Sequence, residues 1–80
     1  MDKDSIARRR AHLRHVLKEI RANAGITQVE LSRRLGVPQS FVSKYESGER
    51  RLDLIELEQV CGVLGVSLQW LLESYEESKP

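Results

Sequence analysis

The sequence predicts an all-α domain of five helices, and three features of the residue pattern support this. Apolar residues recur at spacings of three and four along the chain, which is the period of an amphipathic helix. Strict alternation of apolar and polar residues, the period of a strand, occurs nowhere. The only prolines are Pro38 and Pro80, so few positions interrupt a helix. Because 80 residues can hold only one core, we expect a single small domain.

The first helix is predicted from an apolar stripe at helical spacing, formed by Leu13, Val16, Leu17 and Ile20. Gly25 ends it, because glycine adopts the left-handed cap conformation without steric cost. Arg9 and Arg10 fill the turn before the stripe. We therefore expect residues 1–10 to form a basic arm or a loosely held first turn.

Capping residues predict the second helix. Thr27 and Glu30 have the spacing of a capping box, in which each side chain accepts a hydrogen bond from an amide of the first turn. The helix should run from about Gln28 to Leu35 and stop at Gly36, so only a tight turn joins it to the next helix.

The fourth and fifth helices are predicted in the same way. Asp53 and Glu56 have capping-box spacing, and Ser67 is placed to cap the last helix. The apolar face of the fourth helix should consist of Leu54, Leu57, Val60, Cys61 and Leu64. Residues 11–75 then form the domain, and residues 76–80 a polar tail.

Composition excludes several classes of protein. A single cysteine rules out an internal disulfide, and His12 and His15 have no third ligand that would complete a zinc site. No run of 18 apolar residues is present. The sequence contains no glycine-rich phosphate loop and no convergent nucleophile, base and orienting group. We expect a cytoplasmic binding module without cofactor or metal, and not an enzyme.

Charge is divided unevenly along the chain. Residues 1–51 contain twelve of the thirteen Lys and Arg and six acids, a net charge of +6. Residues 52–80 contain one Lys and six acids, a net charge of −5. A basic half on a small domain is expected for a protein that binds a polyanion such as nucleic acid.

The third helix, at about residues 39–46, is the main candidate for that contact. Pro38 suits its start, and the helix ends before Gly48. Val42 and Tyr45 point inward at a spacing of three, so the opposite face presents Gln39, Ser40, Ser43, Lys44 and Ser47. This face contains hydrogen-bonding groups and one cation but no acid, which suits the base edges of a DNA major groove.

Motifs across most of the chain resemble one family. They are Thr27-Gln28-x-x-Leu31-Ser32, Leu35-Gly36-Val37, Val42-Ser43, Tyr45-Glu46-x-Gly48 and Leu64-Gly65-Val66-Ser67-Leu68-x-Trp70-Leu71-Leu72. Over about residues 11–73 the chain resembles the helix-turn-helix domain of the Cro/C1-type (XRE-like) phage repressors and their bacterial relatives. The resemblance implies a lambda-repressor-like fold and a DNA-binding transcriptional regulator, usually dimeric, that binds palindromic operators in double-stranded DNA.

The resemblance also implies roles for individual residues. Gln28 matches a family glutamine that bonds a phosphate and braces the recognition helix. The base-contacting positions are Gln39, Ser40 and Lys44, with Ser43 as a further candidate, and the loop arginines Arg50 and Arg51 contact phosphates. Two residues depart from the family pattern. Ser32 replaces a small alanine, which requires its hydroxyl to bond a nearby carbonyl. Pro38 replaces a capping Ser or Thr, which could shift the start of the recognition helix.

The fifth helix is apolar on two sides. Trp70 points away from the stripe that contains Leu72 and Tyr75, so it either folds over the fourth helix or lies against a second copy of the chain. We expect a homodimer formed around the last two helices, with Trp70, Leu72 and Tyr75 in its interface.

Other residues are expected to be structural. Cys61 should be a small buried apolar residue, and both histidines should be solvated. Glu46, an acid in a basic region, should pair with a nearby amide or arginine.

An alternative function remains at this point, because the same fold also serves as an antitoxin or adaptor that binds a protein partner such as a toxin. RNA binding is less favoured, because no exposed aromatic pair for base stacking is evident.

Overall fold

A computed structural model describes residues 1–79 and consists of five α-helices joined by short turns. The helices are α1 (Lys3–Asn23), α2 (Gln28–Leu35), α3 (Gln39–Ser47), α4 (Leu54–Leu64) and α5 (Leu68–Ser78). Within the described residues no strand is present. α2 packs on α3 and α4, while α1 packs on α3 and α5, and α5 also contacts α4. The predicted all-α, five-helix architecture is confirmed.

Local capping explains the bounds of the middle helices. The Thr27 hydroxyl accepts from the amide of Glu30 at 3.1 Å, and α2 ends at Gly36, whose positive φ of 71° turns the chain toward α3. Asp53 and Glu56 form the predicted reciprocal capping box, with hydrogen bonds of 2.8 and 3.0 Å. The box predicted for α2 is only half formed, because the Glu30 carboxylate binds two arginines of its own helix instead.

α1 begins ahead of the predicted apolar stripe. Residues 3–10 are helical and continuous with the rest of α1. The Asp2 carboxylate accepts a hydrogen bond of 3.0 Å from the amide of Asp4, and this cap starts the helix ahead of the arginine run. The placement of the domain boundary at residue 10 stays a prediction.

The last helix extends into the predicted polar tail. Residues 76–78 of the predicted polar tail belong to α5, while Pro80 lies outside the described residues. A hydrogen bond of 3.0 Å joins the His12 ring to the Ser78 hydroxyl, and the His12 and Tyr75 rings lie 5.4 Å apart. His12 is therefore a half-buried contact between α1 and α5, and the prediction that it is solvated was wrong.

The core lies where the five helices converge. Its buried side chains are Val16, Leu17, Leu31, Val42, Tyr45, Leu57, Val60, Cys61, Leu64 and Leu71. Cys61 is buried as predicted, and burial raises the pKa of its thiol. Ser32 is also buried, and its hydroxyl donates to the Val29 carbonyl at 2.7 Å, the bond that its placement requires. Leu54 was predicted to be in the core but is 63% exposed, because it is the first residue of α4.

Over residues 1–79, no single helix is both long and apolar enough to cross a membrane; only α4 and α5 taken together, bent by 97°, meet that length and composition.

Candidate nucleic-acid interface

The outer face of α3 is exposed. Val42 and Tyr45 fix the helix orientation, because both side chains are fully buried on its inner side. On the opposite side Gln39, Ser40, Lys44 and Ser47 are exposed. None of these four side chains forms an ion pair or bonds to another helix in the described part of the chain; Ser47 donates only to the Lys44 carbonyl. Ser43 is half-buried, and its hydroxyl donates to the Ser40 carbonyl at 3.3 Å.

The start of α3 matches the prediction despite the unusual Pro38. Pro38 occupies the N-cap position in extended conformation, and its carbonyl accepts from the Phe41 amide at 2.9 Å. No side chain caps this end of the helix. The helix nevertheless begins at Gln39, so Gln39, Ser40 and Lys44 keep one register along the outer face.

A buried ion pair lies beneath α3. The Arg21 guanidinium donates two hydrogen bonds, of 2.7 and 3.0 Å, to the Glu46 carboxylate, and these side chains are only 12% and 4% exposed. Arg21 also donates to the Ile26 carbonyl at 2.8 Å. The hydrogen bond with Glu46 raises the pKa of Arg21. Glu46 is thus a structural partner of an arginine, as predicted, and it ties α3 to α1.

Gln28 extends this network to α2. Its side-chain amide donates to Glu46 at 2.8 Å, so the start of α2 is joined to the same carboxylate as α1. The bracing part of the predicted role of Gln28 matches this contact. A primary amide has two N–H donors and one is used here. The second N–H leaves room for the predicted phosphate contact, which stays a prediction.

The two loop arginines differ in their surroundings. Arg50 forms two hydrogen bonds with Glu56, of 2.6 and 3.1 Å, and its guanidinium lies 4.2 Å from the centre of the Phe41 ring. The bond with Glu56 raises the pKa of Arg50, and the same contact lowers the pKa of Glu56. Arg51 is exposed and its side chain has no ion-pair partner in residues 1–79. Of the two, Arg51 is the better placed to contact an external anion.

Sequence reasoning missed the Arg50 contact for a specific reason. Glu56 had been assigned only as a capping residue, yet one of its oxygens accepts from both the Asp53 amide and Arg50. The only signal in the sequence was the spacing of six residues between Arg50 and the capping acid Glu56. This spacing predicts a contact only when the conformation of the turn between α3 and α4 is known. The Phe41 ring lies against Arg50 and at 6.2 Å from the Tyr45 ring, so it packs within the domain.

The predicted dimer residues lie on α5 with different exposures. Trp70 and Leu72 are 47% and 49% exposed, so about half of the surface of each residue remains accessible. Tyr75 is half-buried against His12 and offers less free surface. Ile55, at the start of α4, is also well exposed and was not singled out from the sequence. The structure describes one chain, and the interface stays a prediction.

Comparison with known proteins places the chain in a family. Residues 17–71 match the family model described as helix-turn-helix. The chain is 35% identical over 57 residues to the SPbeta prophage-derived uncharacterized HTH-type transcriptional regulator YonR of Bacillus subtilis (strain 168). That match covers 71% of this chain and 53% of YonR, so the chain spans about half the length of this relative.

Two solved structures have a similar fold. The XRE-family like protein from Pseudomonas syringae pv. tomato str. DC3000 is 50% identical with a TM-score of 0.81, and the match covers 95% of this chain and 92% of that one. The clp gene regulator ClgR from Corynebacterium glutamicum is 30% identical with a TM-score of 0.79, over 89% of this chain and 76% of that one. The family that the sequence motifs resemble is therefore confirmed, and the chain belongs to the XRE-like helix-turn-helix family.

Proposed function

We propose that this chain is a transcriptional repressor that binds a palindromic operator in double-stranded DNA as a homodimer. The observation that carries the proposal is the outer face of α3, whose exposed side chains are polar or cationic and include no carboxylate. A carboxylate there would be repelled by the phosphates that line a groove. The family to which the chain belongs, and the regulator to which it is similar, support the same function.

In this proposal the exposed residues of α3 contact bases. The amide of Gln39 can form two hydrogen bonds with adenine, and the ammonium of Lys44 can donate to guanine O6 and N7. Ser40 can bond to either class of base, and Ser43 contributes less because its hydroxyl is partly occupied within the helix. These contacts would set which sequence is bound, since each base pair presents a distinct pattern in the major groove.

Residues around α3 would fix the position of the domain on the DNA backbone. Arg51 would donate to a phosphate from the loop after α3, and Gln28 through its second amide N–H. Arg50 would contribute less to phosphate binding than Arg51 does, because Glu56 already neutralises part of its charge. Phosphate contacts hold the register but carry no sequence information, so they would support every sequence equally.

A homodimer would present two such helices to the operator. Trp70 and Leu72, with the free part of Tyr75, offer apolar surface on α5 that a second copy could cover. Two recognition helices related by a twofold axis would contact successive major grooves, about 34 Å apart along the duplex. The operator would then be a palindrome whose half-sites are centred one helical turn apart.

The most informative experiment is selection of bound duplexes from a pool of random DNA. We expect enrichment of a palindrome with half-sites 10 to 11 base pairs apart, about one turn. A single half-site without symmetry would refute the dimeric arrangement. No enrichment at all, with only salt-sensitive binding to every duplex, would reject sequence-specific regulation and favour a module that binds a protein partner.

The dimer interface can be tested independently of DNA. Leu72→Asp places a charge within the apolar surface, so we expect the variant to sediment as a monomer at tens of micromolar, where the wild type sediments as a dimer. Gln69→Asp is the matched control, because it adds the same charge at an exposed position of α5 that is not assigned to the interface. A wild type that stays monomeric at this concentration would contradict the proposal.

A further inference from the structure

A cleft lined by arginines lies between α1 and the segment that follows α3. Its volume is about 410 Å³, and one side is open to solvent. Leu13, Leu17 and Leu52 give it an apolar floor. Arg10 and Arg14 contribute from α1, and the rim is completed by two residues after α3, Arg50 and Arg51. Arg10 belongs to the predicted basic arm, and Arg14 lies one turn further along α1.

Most of the positive charge in this cleft has no counter-charge. None of the described residues that line it is Asp or Glu. Arg50 is paired with Glu56, but Arg10, Arg14 and Arg51 form no ion pair within residues 1–79. Arg10 and Arg14 are four residues apart on one face of a helix, an arrangement in which like charges repel. An anion bound in the cleft would relieve this repulsion.

Arg14 is held in place beside the end of α3. Gly48, the C-cap of α3, has a positive φ of 92°, and a Cβ built on it would lie 3.0 Å from the Cζ atom of Arg14. The guanidinium therefore packs directly on the glycine backbone. Tyr45, which also lines the cleft, has a fully buried hydroxyl that no side chain or carbonyl of residues 1–79 pairs with. The buried Tyr45 hydroxyl is not accessible to a ligand, so the group that the cleft offers here is the Arg14 guanidinium.

We propose that this cleft binds a backbone phosphate of DNA, so that the DNA-contacting surface continues from α3 and its loop onto α1. The inference depends on the proposed function. The cleft shares Arg51 with the predicted phosphate-contacting loop and lies at the end of the helix proposed to enter the groove. A guanidinium matches the geometry of a phosphate and can donate two parallel hydrogen bonds. The open side admits a phosphodiester strand, whose ends must extend beyond the site.

The test uses the full chain with Arg14→Gln and Arg10→Gln, measured on the selected operator and on a scrambled duplex at several salt concentrations. We expect each variant to lose on the order of tenfold in affinity for both duplexes, and the slope of log K against log salt to fall by about 0.9 for each lost phosphate contact. Arg14→Lys keeps a cation and should preserve the slope.

Arg8→Gln is the matched control. It removes the same charge from the same helix but lies about 160° around α1 from Arg10, and it does not line the cleft. Its affinity and salt slope should stay close to those of the wild type. An equal loss for Arg8→Gln and Arg14→Gln would overturn the proposal, because the effect would then reflect net charge rather than the cleft.

A second measurement separates DNA contact from a structural role. Arg14 could serve only to stabilise the end of α3, in which case Arg14→Gln would lower Tm and leave the salt slope unchanged, and the proposal would be wrong. Unchanged slopes for both cleft variants would overturn it too. Failure of the proposed function is distinguishable, because it would appear in the wild type as equal affinity for the selected and scrambled duplexes.

Discussion

The two sides of α3 differ in what their polar groups bind. On the inner side, Glu46 is buried and fully engaged with Arg21 and Gln28. On the outer side, Gln39 and Lys44 are exposed and have no partner on another helix in residues 1–79. A nine-residue helix has little stability of its own, so its position depends on the inner contacts. This helix is therefore fixed by one face, which leaves the other available for an external ligand.

The strongest test of this difference is removal of the buried partner. Glu46→Ala leaves the Arg21 guanidinium largely buried without its carboxylate, so we expect the free energy of unfolding to fall by about 3 kcal/mol. Urea denaturation measures it. Glu49→Ala, at an exposed position just after α3, should change stability by less than about 0.5 kcal/mol. Equal effects of the two substitutions would show that the inner face is not what holds α3.

The outer face should behave in the opposite way. Lys44→Ala should leave the free energy of unfolding within about 0.5 kcal/mol of the wild type, because the side chain is exposed. Binding to the selected operator should weaken by about 1–3 kcal/mol and preference should relax at one base pair of each half-site. Competition among single-base operator variants measures this. An unchanged base preference would assign Lys44 to the backbone or to solvent.

A smaller and uniform effect is expected in the loop after α3. Arg51→Ala should weaken binding by about 1 kcal/mol on every duplex and reduce the salt slope by about 1 for each protomer. Affinity measured on specific and scrambled DNA over a range of salt tests this. If Arg51→Ala changed the preferred sequence instead, the division between base contacts and phosphate contacts would be misassigned.

The smallest effect concerns exposed ion pairs, which contrast with the buried pair under α3. Hydrogen bonds from Arg33 and Arg34 lower the pKa of Glu30 to about 2. Because the folded-state pKa lies below the usual value of 4.5, this contribution to stability is present above pH 4.5 and is lost as pH falls toward 2. Glu30→Gln should remove that part of the pH dependence. Urea denaturation of both proteins at pH 5 and pH 2.5 tests this, and identical pH dependence would refute it.

Much of the fold could be predicted because local signals agree with the tertiary structure. Thr27 and Gly36 bound α2, and Asp53 bounds the start of α4, as their capping properties predict. The ends of the chain were less predictable. The extension of α5 to Ser78 coincides with a hydrogen bond to His12, 66 residues away, which no local pattern reveals.

The candidate site also has features that the sequence predicts and features that only the structure shows. Periodicity alone predicted that Gln39 and Lys44 are exposed, since a helix with Val42 and Tyr45 inward presents them outward. It also placed Ser43 on that face, but Ser43 is half-buried. The hydrogen-bond and ion-pair partners of the site residues could be identified only from the three-dimensional structure. The contact between Gln28 and Glu46 spans 18 residues, and the spacing between Arg50 and Glu56 is too weak a signal to single out Arg50 over Arg51 as the paired arginine.

The central claim, that the outer face of α3 selects the DNA sequence, is tested most directly by repeating the duplex selection with all three base-contacting residues changed. The variant carries Gln39→Ala, Ser40→Ala and Lys44→Ala. We expect it to fold with a Tm close to that of the wild type, because all three side chains are exposed, and to lose the enriched palindrome while still binding duplex DNA in a salt-dependent way. Enrichment of the same palindrome by the triple variant would contradict the claim.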